Sequence, residues 1–270
     1  MKDYIYIEGE QVDDGFPIRT LFYGEGVFET FRYKKELPIL FQKHLDRMEH
    51  GANRLTIPFP EPEHVSQLVT KAVTDSNIED AYIKICLLSC GESSFPEFAR
   101  NSQVLVIIKQ YLYYDNPLRV ITNNFKMISN SGLTGIKSMN YQNNILARRH
   151  ALDVDYDEAL FLNEREEIVE CSASNIFWYA NNALYTPSKQ TGALCGTTRG
   201  MVIDLARRSG TKVLEGEFGV DHLDKADFVF ITNSLNGCRA VSRINSRDYE
   251  VNHKLFISLK NEVLEKLNWL

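Results

Sequence analysis

Apolar and polar residues alternate along several stretches of the first third of the chain, which predicts β-strands. The strand patterns are YIYIEGEQV, GVFETFRYKKELPIL, AYIKICLLSC and QVLVIIKQY, the second of them read as two strands around a turn at 34–36. From 42 to 55 the apolar residues recur every three or four positions instead, and a similar spacing follows Pro60. Two helices are therefore expected between the second and third strand regions.

The pattern is interrupted by an Asp-Asn-Pro turn at 115–117, where we place a boundary between domains. Residues 1–115 are predicted to form an N-terminal α+β domain, 116–125 a linker and 126–270 a second domain. The predicted hairpins and helices of the second domain are EALFLNEREEIVE, NIFWYANNALYTP, QNNILARRHAL, GTTRGMVIDLARRSG and KLFISLKNEVLEKL. Because strands and helices do not alternate strictly, the predicted fold class is α+β.

Composition and charge limit the class of partner. The chain carries 30 Lys and Arg against 36 Asp and Glu, a net charge of -6, which argues against nucleic acid and acidic membranes. No apolar run is long enough to span a bilayer, and residues 1–12 lack the apolar core of a signal peptide. The five cysteines are scattered without metal-ligand spacing, so we expect free thiols, no metal site and a cytoplasmic location.

Two titratable residues stand at positions where chemistry is plausible. Lys137 follows a Gly- and Ser-rich loop and precedes a predicted helix, although an exposed lysine is the commoner explanation for such a residue. Glu170 ends a predicted strand and is followed by the small polar run CSASN. A glutamate there is either a solvated turn carboxylate or a partner for a protonated ring nitrogen.

Donor-rich turns add a second kind of evidence. Gly196, Thr197 and Thr198 begin a predicted helix, where backbone N–H groups cap the helix or bind an anion. Asn233 and Ser234 end a predicted strand and offer further donors. An arginine at 47 within the first helix either extends its head group to solvent or pairs with a phosphate. A lysine, a carboxylate and phosphate donors are together what pyridoxal phosphate requires, although spacing does not show that they converge.

Several blocks of the chain, in order, resemble the class IV (fold type IV) pyridoxal-phosphate family. They are LFYGEGVFETFR, HLDRMEHGANRL, GIKSMNYQNNILARRHA, DEALFLNEREEIVECSASNIFW, LYTP, LCGTTRG and ADFVFITNS. The family includes branched-chain aminotransferases, D-amino-acid aminotransferases and aminodeoxychorismate lyases. The resemblance implies a small N-terminal α/β sandwich domain, a larger C-terminal mixed barrel-like domain, a homodimer, a small-molecule substrate and pyridoxal 5'-phosphate as cofactor.

The resemblance also implies roles for particular residues. Lys137 is expected to form the Schiff base, and Glu170 to pair with the pyridine nitrogen. The residues expected at the phosphate are Arg47, Gly196, Thr197, Thr198, Asn233 and Ser234. Leu194 is expected to pack on the cofactor ring, and Tyr141 and Asn175 to line the site.

Within the family, three features favour the lyases. Asn140 follows Lys137 by three positions, Thr30 falls where lyases place a threonine suited to the substrate, and TNSLNGCRAV resembles a lyase pattern. Cys90 departs from the pattern, because lyases often have an arginine there. The residues that would substitute for this arginine in holding a substrate carboxylate are Lys84, Arg199 and Arg239.

The expected reaction converts 4-amino-4-deoxychorismate to 4-aminobenzoate and pyruvate, a step in folate synthesis. Lys137 would take the ring proton next to the amine, and Lys137 or Thr30 would protonate the leaving enolpyruvyl group. A class IV aminotransferase for D- or branched-chain amino acids is the second hypothesis. A non-catalytic family member that has lost substrate binding is the third.

Overall fold

The structure is a computed structural model and describes residues 5–11, 15–94 and 97–270. The chain divides into two compact units, the first made of Met1–Tyr111 with Ile136–Tyr141 and the second of Leu112–Gly135 with Gln142–Leu270. The short segment that carries Lys137 therefore belongs to the first unit, although second-unit residues flank it in the sequence. The boundaries expected for the domains and the linker remain a prediction.

The described residues form six α-helices and fourteen strands. The helices are α1 (Ile18–Tyr23), α2 (Phe41–Arg54), α3 (Pro62–Ser76), α4 (Gln142–Asp153), α5 (Thr197–Arg208) and α6 (Lys254–Lys266). The strands are β1 (Tyr6–Ile7), β2 (Glu10–Gln11), β3 (Gly26–Lys34), β4 (Asp80–Cys90), β5 (Asn101–Gln110), β6 (Leu118–Thr122), β7 (Glu158–Leu162), β8 (Ile168–Cys171), β9 (Asn175–Ala180), β10 (Ala183–Pro187), β11 (Lys212–Gly216), β12 (Phe228–Asn233), β13 (Gly237–Ile244) and β14 (Arg247–Asp248).

The first unit is built on the antiparallel sheet β3-β4-β5. Successive side chains of a strand point to opposite faces, so one face of β4 presents Ile83 and Ile85, which are fully buried. These residues share a hydrophobic core with Leu45 of α2 and Val65 of α3. The opposite face of β4 lies away from this core, and on this open face Tyr82 and Lys84 are half-buried while Cys86 is buried.

The second unit contains a mixed sheet, with the described strands in the order β11-β10-β9-β12-β13-β6-β7-β8 and β14 paired with β13. Strands β6 and β7, β6 and β13, and β10 and β11 are parallel, and the other pairs are antiparallel. Trp178 and Ile176 of β9 belong to the core on one face. On the other face Phe230 stacks on Phe177 and contacts Phe256 of α6. Both faces are covered, which explains why these strands are apolar almost throughout.

Most of the predicted elements are confirmed. Helices α2 and α3, the hairpins β7–β8 and β9–β10, and the terminal helix α6 lie within one or two residues of the expected stretches. The turn of the second hairpin is Asn181-Asn182, with φ of 49° and 58°, values that asparagine adopts more readily than most residues. The N-terminal stretch forms the small hairpin β1–β2, while its residues 1–4 and 12 lie outside the described residues.

One expectation about the elements was wrong, and three elements were missed. The residues after Lys35 do not form a second strand, because Pro38 lacks an N–H and its carbonyl accepts the N–H of Phe41 at 2.8 Å as α2 begins. The hydrophobic pattern also failed to predict α1, β11 and β13. For α1 the reason is that the helix is six residues long and exposes Leu21 and Phe22. No helix in the described ranges is long and apolar enough to cross a membrane.

Candidate active site

Lys137 lies on a short extended segment of the first unit and not at the first turn of α4. The segment pairs with β3, where the N–H of Phe28 donates to the carbonyl of Lys137 at 2.9 Å and Met139 donates to Gly26 at 2.8 Å. The half-buried ammonium of Lys137 lies 4.5 Å from the ring centroid of Phe28 and 5.4 Å from that of Tyr141. Backbone hydrogen bonds and two aromatic rings therefore position this lysine.

Asn140 fixes the same segment at its other end. Its Nδ2 donates to the carbonyl oxygen of Gly24 at 3.0 Å. Gly24 ends α1 with a φ of 62°, and a Cβ added there would lie 2.8 Å from Asn140 Oδ1. The spacing between Lys137 and Asn140 thus has a structural consequence, because the asparagine anchors the lysine segment to a glycine that no other residue replaces easily.

Thr30 lies on the open face of the first-unit sheet. It is two residues along β3 from Phe28, so both side chains point to the same face. Lys84 stands opposite Thr30 in the β3–β4 register, and the Thr30 side chain hydrogen-bonds to Tyr82. Burial raises the pKa of Tyr82 and the bond from Thr30 opposes this, so the phenol is protonated at neutral pH. Hydroxyl groups and two lysines thus share the sheet face around Phe28.

Arg47 projects from α2 toward the opposite, buried face of the sheet. Its Nε and Nη2 donate to the two oxygens of Glu29, each at 2.7 Å, and His44 Nδ1 lies 2.6 Å from Glu29 Oε2. Burial alone would raise the pKa of Glu29, but Arg47 and His44 outweigh it and lower that pKa to about 2. Burial also lowers the pKa of His44, although Glu29 opposes this. The trio therefore contains a carboxylate, a guanidinium and a neutral imidazole at pH 7.

Glu170 is the centre of a cluster in the second unit. Its buried carboxylate accepts hydrogen bonds at Oε2 from the N–H of Leu194 at 3.0 Å and from Asn175 Nδ2 at 3.1 Å. The same Asn175 amide donates to the carbonyl of Leu194 at 2.7 Å. Three residues from β8, β9 and the segment before α5 are thereby held together.

The N-terminus of α5 continues from this cluster. Gly196 is the residue before the first turn, and a Cβ added there would overlap Asn175 Oδ1, so only glycine fits. Thr197 and Thr198 are buried in the first turn, and the hydroxyl of Thr198 is buried without a hydrogen-bond partner among the described residues. Backbone N–H groups at a helix start and an unsatisfied hydroxyl are suited to an anion.

A second donor turn ends β12. Asn233 Oδ1 accepts the N–H groups of Leu235 at 3.1 Å and Asn236 at 2.9 Å, while its Nδ2 donates to Ser174 Oγ at 3.0 Å. The preceding residue, Thr232, pairs in register with Asn175 and has a buried hydroxyl with no partner in the described part of the chain. Ser234, the other residue expected here, is half-buried in the same turn. Asn175 and this turn thus lie on the neighbouring strands β9 and β12, and Glu170 of β8 is joined to Asn175 by a hydrogen bond.

Sequence reasoning missed three residues that hold the predicted ones in place. Glu29 and His44 orient Arg47, and Tyr82 binds Thr30. The sequence does contain a signal for Glu29 and His44. Glu29 falls on the core-facing side of the alternating FETFR stretch, and His44 lies one helical turn before Arg47. A buried charge of this kind requires partners. Nothing in the sequence indicates that Tyr82 contacts Thr30, because the two are far apart in the chain.

A family model described as amino-transferase class IV matches residues 26–244. The chain belongs to the class IV aminotransferase family. Members of this family depend on pyridoxal phosphate, and this class IV protein is a pyridoxal-phosphate-dependent enzyme. The expected family, fold and cofactor are thereby confirmed.

Both a lyase and an aminotransferase are among the relatives that this class IV enzyme resembles. The aminodeoxychorismate lyase of Bacillus subtilis (strain 168) is 29% identical over 257 residues, which cover 91% of this chain and 88% of the lyase. The branched-chain-amino-acid aminotransferase of Pseudomonas aeruginosa is 28% identical over 264 residues, covering 92% and 83%. A solved structure from Legionella pneumophila, named "Putative 4-amino-4-deoxychorismate lyase", superimposes with a TM-score of 0.88 at 30% identity and covers 94% of this chain and 96% of its own.

The residues of the second unit fit the cofactor of this family. The buried hydroxyls of Thr198 and Thr232 need a hydrogen-bond partner, and phosphate oxygens are strong acceptors. Gly196 is the N-cap of a twelve-residue helix, whose dipole favours an anion at this end. Glu170 is held by an N–H and an amide on one oxygen, which suits a carboxylate that pairs with a protonated ring nitrogen.

Proposed function

We propose that this class IV enzyme is an aminodeoxychorismate lyase, which converts 4-amino-4-deoxychorismate to 4-aminobenzoate and pyruvate. The observation that carries the proposal is the position of Thr30. Its side chain is fixed by Tyr82 and shares a sheet face with Phe28, whose ring contacts the ammonium of Lys137. A hydroxyl near the lysine suits the protonation of an oxygen leaving group, which a transamination does not have. Similarity to the Bacillus subtilis lyase supports the proposal.

The cofactor roles are part of the same proposal. Lys137 would hold the aldehyde of the cofactor, and the carboxylate of Glu170 would accept a hydrogen bond from its protonated pyridine nitrogen. Leu194 would pack against the ring, and Tyr141 and Asn175 would line the site. The groups proposed to bind phosphate are Arg47, the backbone N–H of Gly196, Thr197, Thr198, Asn233 and Ser234. The unsatisfied hydroxyl of Thr198 supports this assignment.

The chain's own groups then move two protons. Pyridoxal phosphate, when bound, supplies an electron sink for the carbon that bears the substrate amine. The free amine Nζ of Lys137 would take the proton from that ring carbon. The bond between the ring and the enolpyruvyl oxygen breaks, and Lys137 or the hydroxyl of Thr30 supplies a proton to the departing group. The enol becomes pyruvate, and the remaining ring becomes aromatic, which makes the elimination favourable.

The test is to supply 4-amino-4-deoxychorismate to the purified holoenzyme and to measure 4-aminobenzoate and pyruvate. We expect the two products in equal amounts, without a keto acid as co-substrate. The Thr30→Val variant should retain the cofactor and lose activity by about 10²-fold or more, because it removes the proposed proton donor to the leaving group. Absence of 4-aminobenzoate, together with exchange of an amino group between an amino acid and a keto acid, would reject the lyase.

A class IV aminotransferase for D- or branched-chain amino acids is the second candidate function. It is favoured by the similarity to the Pseudomonas aeruginosa branched-chain enzyme along most of the chain. Such an enzyme would use Lys137 for the same first proton transfer, and it would keep the nitrogen of the substrate for transfer to a keto acid. Incubation with leucine, valine or D-alanine and 2-oxoglutarate tests this activity, and formation of glutamate would favour it.

We also propose that the enzyme acts in the cytoplasm, in folate synthesis, and as a homodimer. These statements rest on the resemblance and on the scattered free cysteines, which suit a reducing compartment. Light scattering of the purified holoenzyme tests the dimer, and a monomeric mass at micromolar concentration would reject it.

A further inference from the structure

The turn between β8 and β9, within the second unit, joins two residues of the candidate site. Glu170 lies near the end of β8 and Asn175 begins β9, and the amide of Asn175 donates to the carboxylate of Glu170 at 3.1 Å. The turn comprises residues 172–174, and across it the N–H of Cys171 donates to the carbonyl of Ser174 at 2.8 Å. The position of Glu170 relative to Asn175 therefore depends on the contacts that hold this turn.

A buried carboxylate from the neighbouring strand holds the turn. Glu158 is the first residue of β7, and its Oε1 accepts hydrogen bonds from the backbone N–H of Ser172 at 3.2 Å and from the hydroxyl of the same serine. The backbone N–H of Ala159 donates to the same oxygen at 2.9 Å. Hydrogen bonds to an ionised acceptor are stronger than those between neutral groups, so Glu158 holds Ser172 firmly just beyond the end of β8.

The other oxygen of Glu158 is paired with α4. Arg148 Nη1 lies 2.6 Å from Glu158 Oε2, and it supplies the counter-charge that a buried carboxylate requires. Helix α4 contacts the turn a second time, because Asn144 Nδ2 donates to the carbonyl of Ser172 at 2.9 Å. The turn is therefore bound to both β7 and α4.

The turn is also connected to the donor turn that follows β12. Ser174 Oγ accepts a hydrogen bond from Asn233 Nδ2 at 3.0 Å. At the other end of the turn, burial raises the pKa of the Cys171 thiol, and the charges of Glu158 and Glu170 raise it further. Both carboxylates act on the same thiol, so Glu158 lies close to Glu170 although the two belong to different strands.

We propose that Glu158 is a positioning residue, which holds the turn between β8 and β9 and so keeps the carboxylate of Glu170 in place for the ring nitrogen of the cofactor. Both oxygens of Glu158 are engaged by groups of this chain, so it acts through Glu170 and not by contact with the cofactor. The inference rests on the cofactor role proposed for Glu170, and it applies to either candidate reaction.

The experiment compares two cofactors that differ in one ring atom. The apo protein is titrated with pyridoxal 5'-phosphate and with 1-deazapyridoxal 5'-phosphate, in which a C–H group replaces the ring nitrogen, and absorbance gives both dissociation constants. Wild type should prefer the cofactor with nitrogen, because only its protonated ring donates a hydrogen bond to Glu170. Glu158→Gln should reduce this preference about fivefold or more, since a glutamine turns an NH₂ group toward either Arg148 or Ser172 and loses that contact.

Ser172→Ala tests the same contact from the other side. It removes the hydroxyl that donates to Glu158 and leaves the ion pair with Arg148, so it should fold and lower the preference about threefold. Glu167→Gln is the matched control, because Glu167 also pairs with an arginine, Arg165 at 2.7 Å, but precedes the other end of β8. It should keep the wild-type preference.

Two results would overturn the proposal. One is an equal loss of affinity for both cofactors, or no loss for either, in Glu158→Gln and Ser172→Ala, since a merely structural role does not distinguish the ring nitrogen. The other is a wild-type preference in Glu170→Gln together with a lost preference in Glu158→Gln, because the effect would then not pass through Glu170. If Glu158→Gln does not fold, Ser172→Ala decides alone.

Product analysis separates the failure of this inference from the failure of the proposed function. An enzyme that forms no 4-aminobenzoate, but loses the cofactor preference in both Glu158→Gln and Glu170→Gln, is not a lyase and still uses Glu158 to position Glu170. An enzyme that forms 4-aminobenzoate and keeps the preference in both Glu158→Gln and Ser172→Ala is a lyase in which the assignment of Glu158 is wrong.

Discussion

Glu29 is a carboxylate without exposed surface, and its charge persists because two basic side chains surround it. Arg47 binds it through two parallel hydrogen bonds, the geometry in which a guanidinium and a carboxylate interact most strongly. His44 contributes a third contact and is neutral at pH 7, since burial lowers its pKa. At the residue scale, the orientation of Arg47 therefore depends on Glu29, which does not itself need to contact the cofactor.

Replacement of Glu29 by glutamine should destabilise the protein strongly. The variant leaves Arg47 without its buried counter-charge, and removing one partner of such a pair costs about 3–5 kcal/mol. Urea unfolding at pH 7 measures the loss. Asp75→Asn is the control, because its pair with Lys71 is exposed on α3 and should change stability by less than about 1 kcal/mol. If the unfolding free energy of Glu29→Gln lay within about 1 kcal/mol of wild type, the charge of Glu29 would not be required to balance the charge of Arg47.

The same pair predicts a pH dependence. The pKa of Glu29 is lowered from 4.5 to about 2 in the folded protein, so the unfolded chain binds its proton first as the pH falls. The stability contributed by Glu29 is therefore complete above pH 4.5 and is lost as the pH falls toward 2. The difference in unfolding free energy between wild type and Glu29→Gln should shrink from pH 7 to pH 3. A constant difference over that range would contradict the assignment.

Lys137 is predicted to be the lysine that carries the cofactor. Borohydride reduction of the holoenzyme should bleach its colour and add the cofactor mass to the tryptic peptide that contains Lys137. Lys137→Ala should lose activity by about 10²- to 10⁴-fold, because it removes a general base as well as the covalent link. Lys109→Ala is the control. The ammonium of Lys84 lies over the ring of Phe28, as that of Lys137 does. Cofactor mass on the peptide of Lys84 would therefore show that Lys84, and not Lys137, forms the covalent link.

At the scale of elements, the start of α5 depends on one glycine. Gly196 faces Asn175, which also donates to Glu170, so a methyl group at 196 would displace the residue that orients the carboxylate. Gly200, one turn later in the same helix, has open space where its Cβ would lie. The two glycines therefore provide opposite expectations for the same substitution.

Gly196→Ala should weaken cofactor binding by about tenfold or more, which corresponds to about 1.4 kcal/mol of displaced hydrogen bonding. Gly200→Ala should raise the free energy of unfolding by about 0.5–1 kcal/mol and leave cofactor affinity unchanged, because alanine is the better helix former. Titration of the apo forms with pyridoxal phosphate, followed by absorbance, measures both. Equal cofactor affinity in Gly196→Ala and wild type would show that the first turn of α5 does not contribute to cofactor binding.

The sequence predicted elements better than the contacts between them. Helical spacing located α2, because four apolar residues on one face must be buried, and strand alternation located β4 and β5. The short helix α1 has no such face and could not be found this way. Glu170, Asn175 and Leu194 were each named from the sequence, but their mutual hydrogen bonds depend on how β8, β9 and the segment before α5 come together. Periodicity carries no information on such long-range packing.

At the scale of the whole molecule, cofactor binding should raise the thermal stability of the chain. A ligand that binds the native state alone stabilises it by about 2.7 kcal/mol at a hundred times its dissociation constant. For a protein of this size each kcal/mol moves the melting temperature by about 2–4 °C. The apo protein should therefore melt several degrees below the holoenzyme, and pyridoxal, which lacks phosphate, should restore only part of the difference. Full restoration by pyridoxal would mean that the donor turns do not bind the phosphate.

The Thr198→Val variant tests whether the rise in melting temperature on cofactor binding depends on one hydroxyl group. In the apo protein the buried hydroxyl has no hydrogen-bond partner among the residues that the structure describes, so its replacement by a methyl group should leave the melting temperature equal or higher. In the holoenzyme the same change removes a donor to the phosphate and should reduce the stabilisation by cofactor. Ser89→Ala is the control, because Ser89 Oγ is also buried without a partner in the described ranges and lies in the first unit on β4. It should alter the apo protein in the same direction and leave the cofactor-induced shift unchanged. If Thr198→Val and Ser89→Ala behaved alike in both states, the unsatisfied hydroxyl on α5 would be a feature of packing and not a phosphate ligand.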